Sequence, residues 1–208
     1  MRGAVDPELA AHVEELVRCR RCPAVVPPPV AALPLGRPRL MVVGQAPGPR
    51  EADRERLFAH TAGTRLFSWF AELGVPEEEA RARIWIAAAI RCFPGRAPQG
   101  GDRVPSPQEV ANCAPWLERE LRLLEPLTVI ALGQLGISRF LPPAPLADRV
   151  GRVFTGERDG RTFEVVPLPH PSGRSTWLNQ PDNQKRLRRA LALLENTRGW
   201  RETFGDRR

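Results

Sequence analysis

The sequence predicts an α/β fold: one three-layer domain with a central, mostly parallel sheet flanked by helices. Three observations predict it. Short apolar runs recur along the chain, as in "RLMVVG" and "TVIALG". Segments with helical spacing lie between them. Turn residues punctuate the joins, and strands alternating with helices favour a layered sheet. No internal repeat is present, so residues 1–208 read as a single domain.

The elements follow in chain order. Residues 7–18 read as a helix with Leu9, Val13, Leu16 and Val17 on its apolar side. Residues 23–38 form a proline-rich connector, extended rather than helical. "RLMVVGQAPG" reads as a buried strand that ends in a glycine-rich turn. A helix starts near Thr61 and stops at Gly74, with Leu66, Phe67, Phe70 and Leu73 on one face. Residues 83–92 form the next strand, followed by a loop. Ser106 caps a long helix, with Pro107 at its first position and Glu109 completing a capping box. Residues 128–133 form a third buried strand, which runs into the short helix of "GQLGISRFL". Residues 150–156 and 161–168 read as strands around the "RDG" turn. A last helix with a basic face follows, and residues 196–208 read as a flexible tail.

The chain carries a net charge of +7, and Lys185 is its only lysine. Arginine forks suit phosphate, and positive charge favours a polyanionic partner. The same bias, with many Ala, Pro and Leu, also fits a GC-rich genome, so charge alone leaves nucleic-acid binding open. No apolar run is long enough to span a membrane. The N-terminus lacks a signal-type apolar region, which makes the cytoplasm the expected location.

Cysteines carry more information. Cys19 and Cys22 form a C-x-x-C pair, while Cys92 and Cys113 stand apart from it. In a cytosolic chain this set suggests metal before disulfides. A zinc site usually shows two tight pairs, and four thiolates from three segments suit an iron–sulfur cluster equally well.

In parallel sheets the ligand site lies beyond the carboxyl ends of the strands. Three segments emerge there: "GQAPGPRE", "RCFPGR" and "HPSGRS". The first matches neither a Walker A loop nor a dinucleotide fingerprint. His170, one of three histidines, leaves an apolar strand on a tight Pro-Ser-Gly bend. There is no G-x-S-x-G element to make it part of a triad. His12 and His60 have no metal-type spacing. His170 therefore reads as a hydrogen-bond donor or an acid–base group.

The ordered set of C-x-x-C, "GQAPG", "LFAHTAG", "IRCFPGRAP", Cys113, "TVIALG" and "PLPHPSGRS" resembles the iron–sulfur branch of the uracil-DNA glycosylase superfamily, family 4 or a close relative. The likeness runs from about residue 16 to residue 194. It implies excision of uracil from DNA by hydrolysis of the N-glycosidic bond, leaving an abasic site, by a monomeric enzyme. It implies a [4Fe–4S] cluster held by Cys19, Cys22, Cys92 and Cys113. The first motif falls on Gly44, Gln45, Ala46, Pro47 and Gly48. Gln45 replaces the usual glutamate, and Ala46 stands where the best-known branch has its water-activating aspartate.

The base-stacking phenylalanine falls on Phe58, and Glu51 on a position that shapes the pocket. His60 replaces a usual glycine. The second motif falls on His170, Pro171 and Ser172. Gly173, Arg174 and Ser175 then form the loop that enters the DNA, with Arg174 where many relatives have leucine. Ala88 stands where the family carries an asparagine that reads the uracil edge. The segment between Cys92 and Cys113 is longer than is usual for family 4. These departures keep other readings open: a glycosylase for hypoxanthine, xanthine or a mismatched base, a catalytically weak uracil-DNA-binding relative, or a zinc-stabilised module.

Overall fold

The computed structural model describes residues 4–173 and 176–205. Helix α1 (Pro7–Val17) is capped by Asp6, whose carboxylate accepts from the amides of Glu8 and Leu9. The chain then reaches β1 (Leu40–Gly44), α2 (Thr61–Glu72), α3 (Glu77–Arg83) and β2 (Trp85–Ala88). Next come α4 (Pro107–Leu124), β3 (Thr128–Leu132), α5 (Gly133–Ile137) and α6 (Leu146–Arg149). The hairpin β4 (Phe154–Arg158) and β5 (Arg161–Leu168) follows, then a 3₁₀ turn over Thr176–Asn179, α7 (Pro181–Glu195) and α8 (Arg198–Phe204).

The five strands form one sheet in the order β2-β1-β3-β5-β4. The first four are parallel, and β4 is an antiparallel edge. Strands β1 and β3 are buried at every position, as their unbroken apolar runs require. Asp159 and Gly160 both adopt positive φ, 51° and 73°, which suits a two-residue hairpin. One apolar layer packs α2, α7 and α8 on one face of the sheet, and a second packs α1, α4 and α5 on the other. The three-layer α/β architecture is therefore as the pattern predicts.

The chain leaves β1 toward β2 on one side and returns to β3 on the other. In open α/β sheets such a reversal marks the carboxyl ends of the two strands, here β1 and β3, as the place for a ligand site.

Several boundaries differ from the sequence expectation. Strand β2 stops at Ala88, although the amides of Ala89 and Ile90 still donate to the carbonyls of Gly44 and Gln45 (2.9 and 3.2 Å). Strand β4 begins at Phe154 rather than at residue 150. The expected flexible tail is corrected most: residues 198–204 form α8, with Trp200 and Phe204 buried. Polar anchors hold it. The amide of Arg198 donates to Glu164 (2.8 Å) and that of Gly199 to Thr128 Oγ1 (3.0 Å). A Cβ at Gly199 would stand 2.8 Å from Thr128, so only glycine lets the helix approach the sheet this closely.

Candidate functional site

Strand β1 delivers Gly44 to that end of the sheet, in register with Ala88 on β2. The Phe58 ring lies directly on this strand end. A Cβ at Gly44 would meet Phe58 Cζ at 2.7 Å. Ala88 is 2% exposed and belongs to the same apolar layer as Phe58. Pro47 is buried, while Gln45, Ala46 and Gly48 are half-buried on the turn.

Phe58 holds an unusual backbone, with φ at 56°. Non-glycine residues adopt this region only when surroundings enforce it. Three supports do so. Arg81 donates to the carbonyls of Leu57 and Phe58 at 2.9 and 2.7 Å. Its guanidinium also lies 4.3 Å over the Phe67 ring and pairs with Glu77 at 2.8 Å. Gly63 packs against the Phe58 carbonyl so closely that a Cβ would fall 1.7 Å from that oxygen. From the other side, the buried Glu51 carboxylate accepts backbone N–H groups of Phe58, Gly48 and Ala59. Burial pushes its pKa up, and these hydrogen bonds oppose the shift.

His170 leaves the end of β5, two strands from β1, or roughly 10 Å across the sheet. Its Nδ1 accepts the amide of Ser172 at 3.2 Å. In the neutral ring the proton then resides on Nε2, which is the donor. Burial lowers the pKa of His170, with Asp102 opposing, so the ring is neutral at neutral pH. Helix α5 supports it from below. Gly133, with φ at 68°, brings the backbone so near that a Cβ would stand 3.1 Å from His170 Cβ. Gly136 packs on the Val43 carbonyl, where a Cβ would stand at 2.5 Å. Thus α5 ties the end of β1 to His170. The Ser172 carbonyl accepts from Arg65 Nη1 at 3.4 Å, and around Gly173 there is open space. Arg174 and Ser175, expected at the DNA-entering loop, lie outside the described residues.

All four cysteines line one separate cavity of about 250 Å³. Its walls are the end of α1, the proline-rich connector, the exit of β2 and the start of α4. The connector is fixed there: Val26 and Val30 donate to the carbonyls of Phe93 and Arg91 (2.8 and 2.7 Å). Arg103 adds a brace, pairing with Glu109 at 2.7 Å and reaching the Ala24 carbonyl at 3.3 Å. The cysteines are free thiols. Burial, then the neighbouring cysteines, pushes Cys92 up to about 12, and burial pushes Cys113 up to about 11. A cationic centre among them would favour the thiolates. Among the described residues, no group of three or more Cys, His, Asp or Glu side chains is disposed to hold a metal ion. A multi-iron cluster presents a separate iron to each thiolate, so its ligands stand wider apart than those of one ion. Four soft donors converging on one cavity fit that kind of centre.

Sequence reading missed Arg81, Arg65 and the glycines at 63, 133 and 136. Gly133 was legible in principle, as a glycine at the end of a buried strand marks close approach. Nothing local to Arg81 announces its role.

The switch-point end of the sheet thus carries the Phe58 ring over Gly44 and His170 over Gly133. Residues 31–195 match the model of the Uracil DNA glycosylase superfamily, and the chain belongs to that family. It is similar to the type-4 uracil-DNA glycosylase of Pyrobaculum aerophilum, 29% identical over 74% of this chain and 76% of that protein. It is similar to the type-4 uracil-DNA glycosylase of Archaeoglobus fulgidus, 27% identical over 77% and 79%. The type-5 uracil-DNA glycosylase of Pyrobaculum aerophilum is 30% identical over 79% and 85%.

Proposed function

We propose that this chain is a DNA-repair hydrolase that flips uracil out of DNA and cleaves its N-glycosidic bond, leaving an abasic site. The observation that carries the reading is the Ser172 amide on His170 Nδ1, which leaves Nε2–H as the donor of the neutral ring. Flipping the base costs a few kcal/mol. Gly173, Arg174 and Ser175 would fill the gap, and the chain's arginines would hold the phosphates. Phe58 stacks on the extruded base, an interaction of about 1–3 kcal/mol. As the C1′–N bond breaks, uracil leaves as an anion and the sugar gains oxocarbenium character. His170 Nε2–H then donates to the developing charge on O2, worth about 3–4 kcal/mol for a preorganised donor. Amides of the 44–48 turn add to it. Gln45 orients the water that captures the sugar; an amide is not a base, so leaving-group stabilisation supplies most of the rate. Glu51 holds the turn and the Phe58 loop in place.

Cys19, Cys22, Cys92 and Cys113 would hold a [4Fe–4S] cluster, which supplies a structural cross-link among three chain segments. The convergence of the four thiols on one cavity supports this. Among the described residues, no helix is long and apolar enough to cross a membrane.

The test is release of uracil from oligonucleotides carrying it opposite guanine, opposite adenine and in single strands. His170→Ala should slow release by about 10²–10³-fold. Unchanged release in both His170→Ala and Gln45→Ala would remove the site assignment. One observation favours a second reading: Ala88 puts an apolar, buried surface where the family reads uracil with an amide. The same assay with hypoxanthine, xanthine and mismatched bases decides between them. Tight binding without cleavage would instead mark a poorly turning-over relative.

A further inference from the structure

The cavity lined by the four cysteines contains more than thiols. Arg91 is 1% exposed and Trp116 is 9% exposed, and both line it, as does Asn112. Arg91 Nε and Nη1 and Trp116 Nε1 are buried N–H donors with no hydrogen-bond partner among the described residues. Asn112 Nδ2 already reaches a cysteine, 3.6 Å from Cys22 Sγ. The amide of Arg91 donates to Cys113. Buried orphan donors are rare in folded proteins, and each calls for an acceptor.

These donors are also held rigidly. The carboxylate of Glu120, itself fully buried, takes Arg91 Nη2 on both oxygens and His12 Nε2 at 3.1 Å. The Trp116 ring is boxed by His12, edge-on with centroids 5.6 Å apart, and by Arg21, 5.3 Å over its face. Helices α1 and α4 and the exit of β2 thus converge to fix a guanidinium and an indole beside four thiols. Unpaired N–H groups on residues that line a cavity of soft acceptors are the means by which a protein tunes an iron–sulfur centre.

We propose that Arg91, Trp116 and Asn112 form a built shell of N–H donors that hydrogen-bond the sulfurs of the cluster and set its reduction potential. The proposal rests on the cluster reading above. Such bonds stabilise the more electron-rich state, so removing one favours the oxidised form. Glu120 and His12 are positioning residues that act through Arg91.

The experiment compares purified full-length protein with Trp116→Phe, which keeps the ring and loses the N–H, and with Asn112→Ala. Trp85→Phe is the control. Trp85 Nε1 is likewise buried and without a partner among the described residues, but Trp85 is not among the residues lining the cavity. Iron and sulfide are counted per chain, and the cluster is titrated electrochemically. At a fixed ambient potential, Trp116→Phe and Asn112→Ala should each lower the reduced-to-oxidised ratio by about threefold to tenfold. Trp85→Phe should leave it unchanged. Proton resonance of the paramagnetic cluster after exchange into D₂O should lose one exchangeable coupling in Trp116→Phe. Fully loaded Trp116→Phe and Asn112→Ala proteins with the native ratio would overturn the proposal, while leaving the cofactor reading intact. So would a shift of the same size in Trp85→Phe. A chain that binds no iron and sulfide removes both readings.

Discussion

Arg81→Met tests whether the Phe58 loop is positioned from behind. Methionine keeps the apolar stem against the Phe67 ring and removes every donor. Two charged hydrogen bonds are lost, to the carbonyls of Leu57 and Phe58. At about 1.5–3 kcal/mol each, their removal costs at most about 6 kcal/mol. The freed carbonyls lie on a loop that can turn toward water, so the expected loss of folding stability is about 2–4 kcal/mol. The ion pair with Glu77 adds only about 0.3–0.5 kcal/mol, as an i,i+4 helix pair. Phe58 then has less reason to hold its positive φ, and part of the stacking energy, about 1–3 kcal/mol, is lost with it. Single-turnover uracil release at saturating DNA should fall roughly tenfold. Denaturant titration reads the first effect, and quenched-flow release reads the second. Arg122→Met is the control, since its pair with Asp159 is 3.8 Å long and more than half exposed on both sides. If Arg81→Met destabilises the fold yet leaves release at the native rate, Phe58 is not held by Arg81, or its position does not govern the chemistry.

Gly133→Ala introduces a Cβ at 3.1 Å from His170 and strains a positive φ. It should lower uracil release more than it lowers the melting temperature, as scanning calorimetry beside the activity assay would establish. Burial lowers the His170 pKa below its unfolded value. Its stabilising contribution is therefore fully present above the unfolded pKa, near 6.5, and is lost as pH falls through the folded value. Release should stay flat from neutral pH down past the unfolded pKa and then drop; in Asp102→Asn the drop should move to lower pH, because the opposing acid is gone. An NMR titration of the imidazole checks both shifts. Trp200→Ala should cost about 3–5 kcal/mol, as for a buried tryptophan. Chemical denaturation would show a negligible loss if residues 198–204 were a mobile tail.

Much of the fold was legible because its central strands, β1 and β3, are buried on both faces. An unbroken run such as Leu40–Val43 can satisfy its backbone only inside a sheet covered by helices. The long helix announced itself through Ser106, Pro107 and Glu109, and its capping box is formed. Helix α8 was hidden for a different reason. Its burial depends on Thr128 and Glu164, partners more than thirty residues away in sequence, and its own polar residues look like a tail. Helix α3, with acids in its first turn and only Ala80 buried, has too few apolar positions to show a period. At the site, the residue types at strand ends could be read, but their supports could not. Arg81 acts on Phe58 from another helix, and periodicity says nothing of such contacts.

The three glycines at positions 44, 63 and 133 explain how the proposed chemistry tolerates the missing carboxylate. Each removes a side chain where the proposed machinery is packed: Gly44 under the Phe58 ring, Gly63 at its carbonyl, Gly133 under His170. The distances leave no room for a methyl group at the first two without displacing the ring or the loop. A site this tightly set loses little to reorganisation when the leaving group acquires charge, which is the condition under which fixed donors act best. Under the proposed mechanism Gln45 and Ala46 offer no base, and rate comes from that fixed geometry. Ala88 extends the same logic. It lies in the same buried apolar layer as Phe58 and adds no polar group that a non-uracil base would leave unpaired. Discrimination built on a side-chain amide rejects the wrong base by orphaning the amide; discrimination built on shape and backbone donors is weaker. The chain should therefore separate uracil from other small deaminated bases by a smaller factor than a relative with asparagine there. Ala88→Asn, assayed on uracil and hypoxanthine side by side, should raise the ratio of the two rates. An unchanged ratio would place selectivity outside position 88.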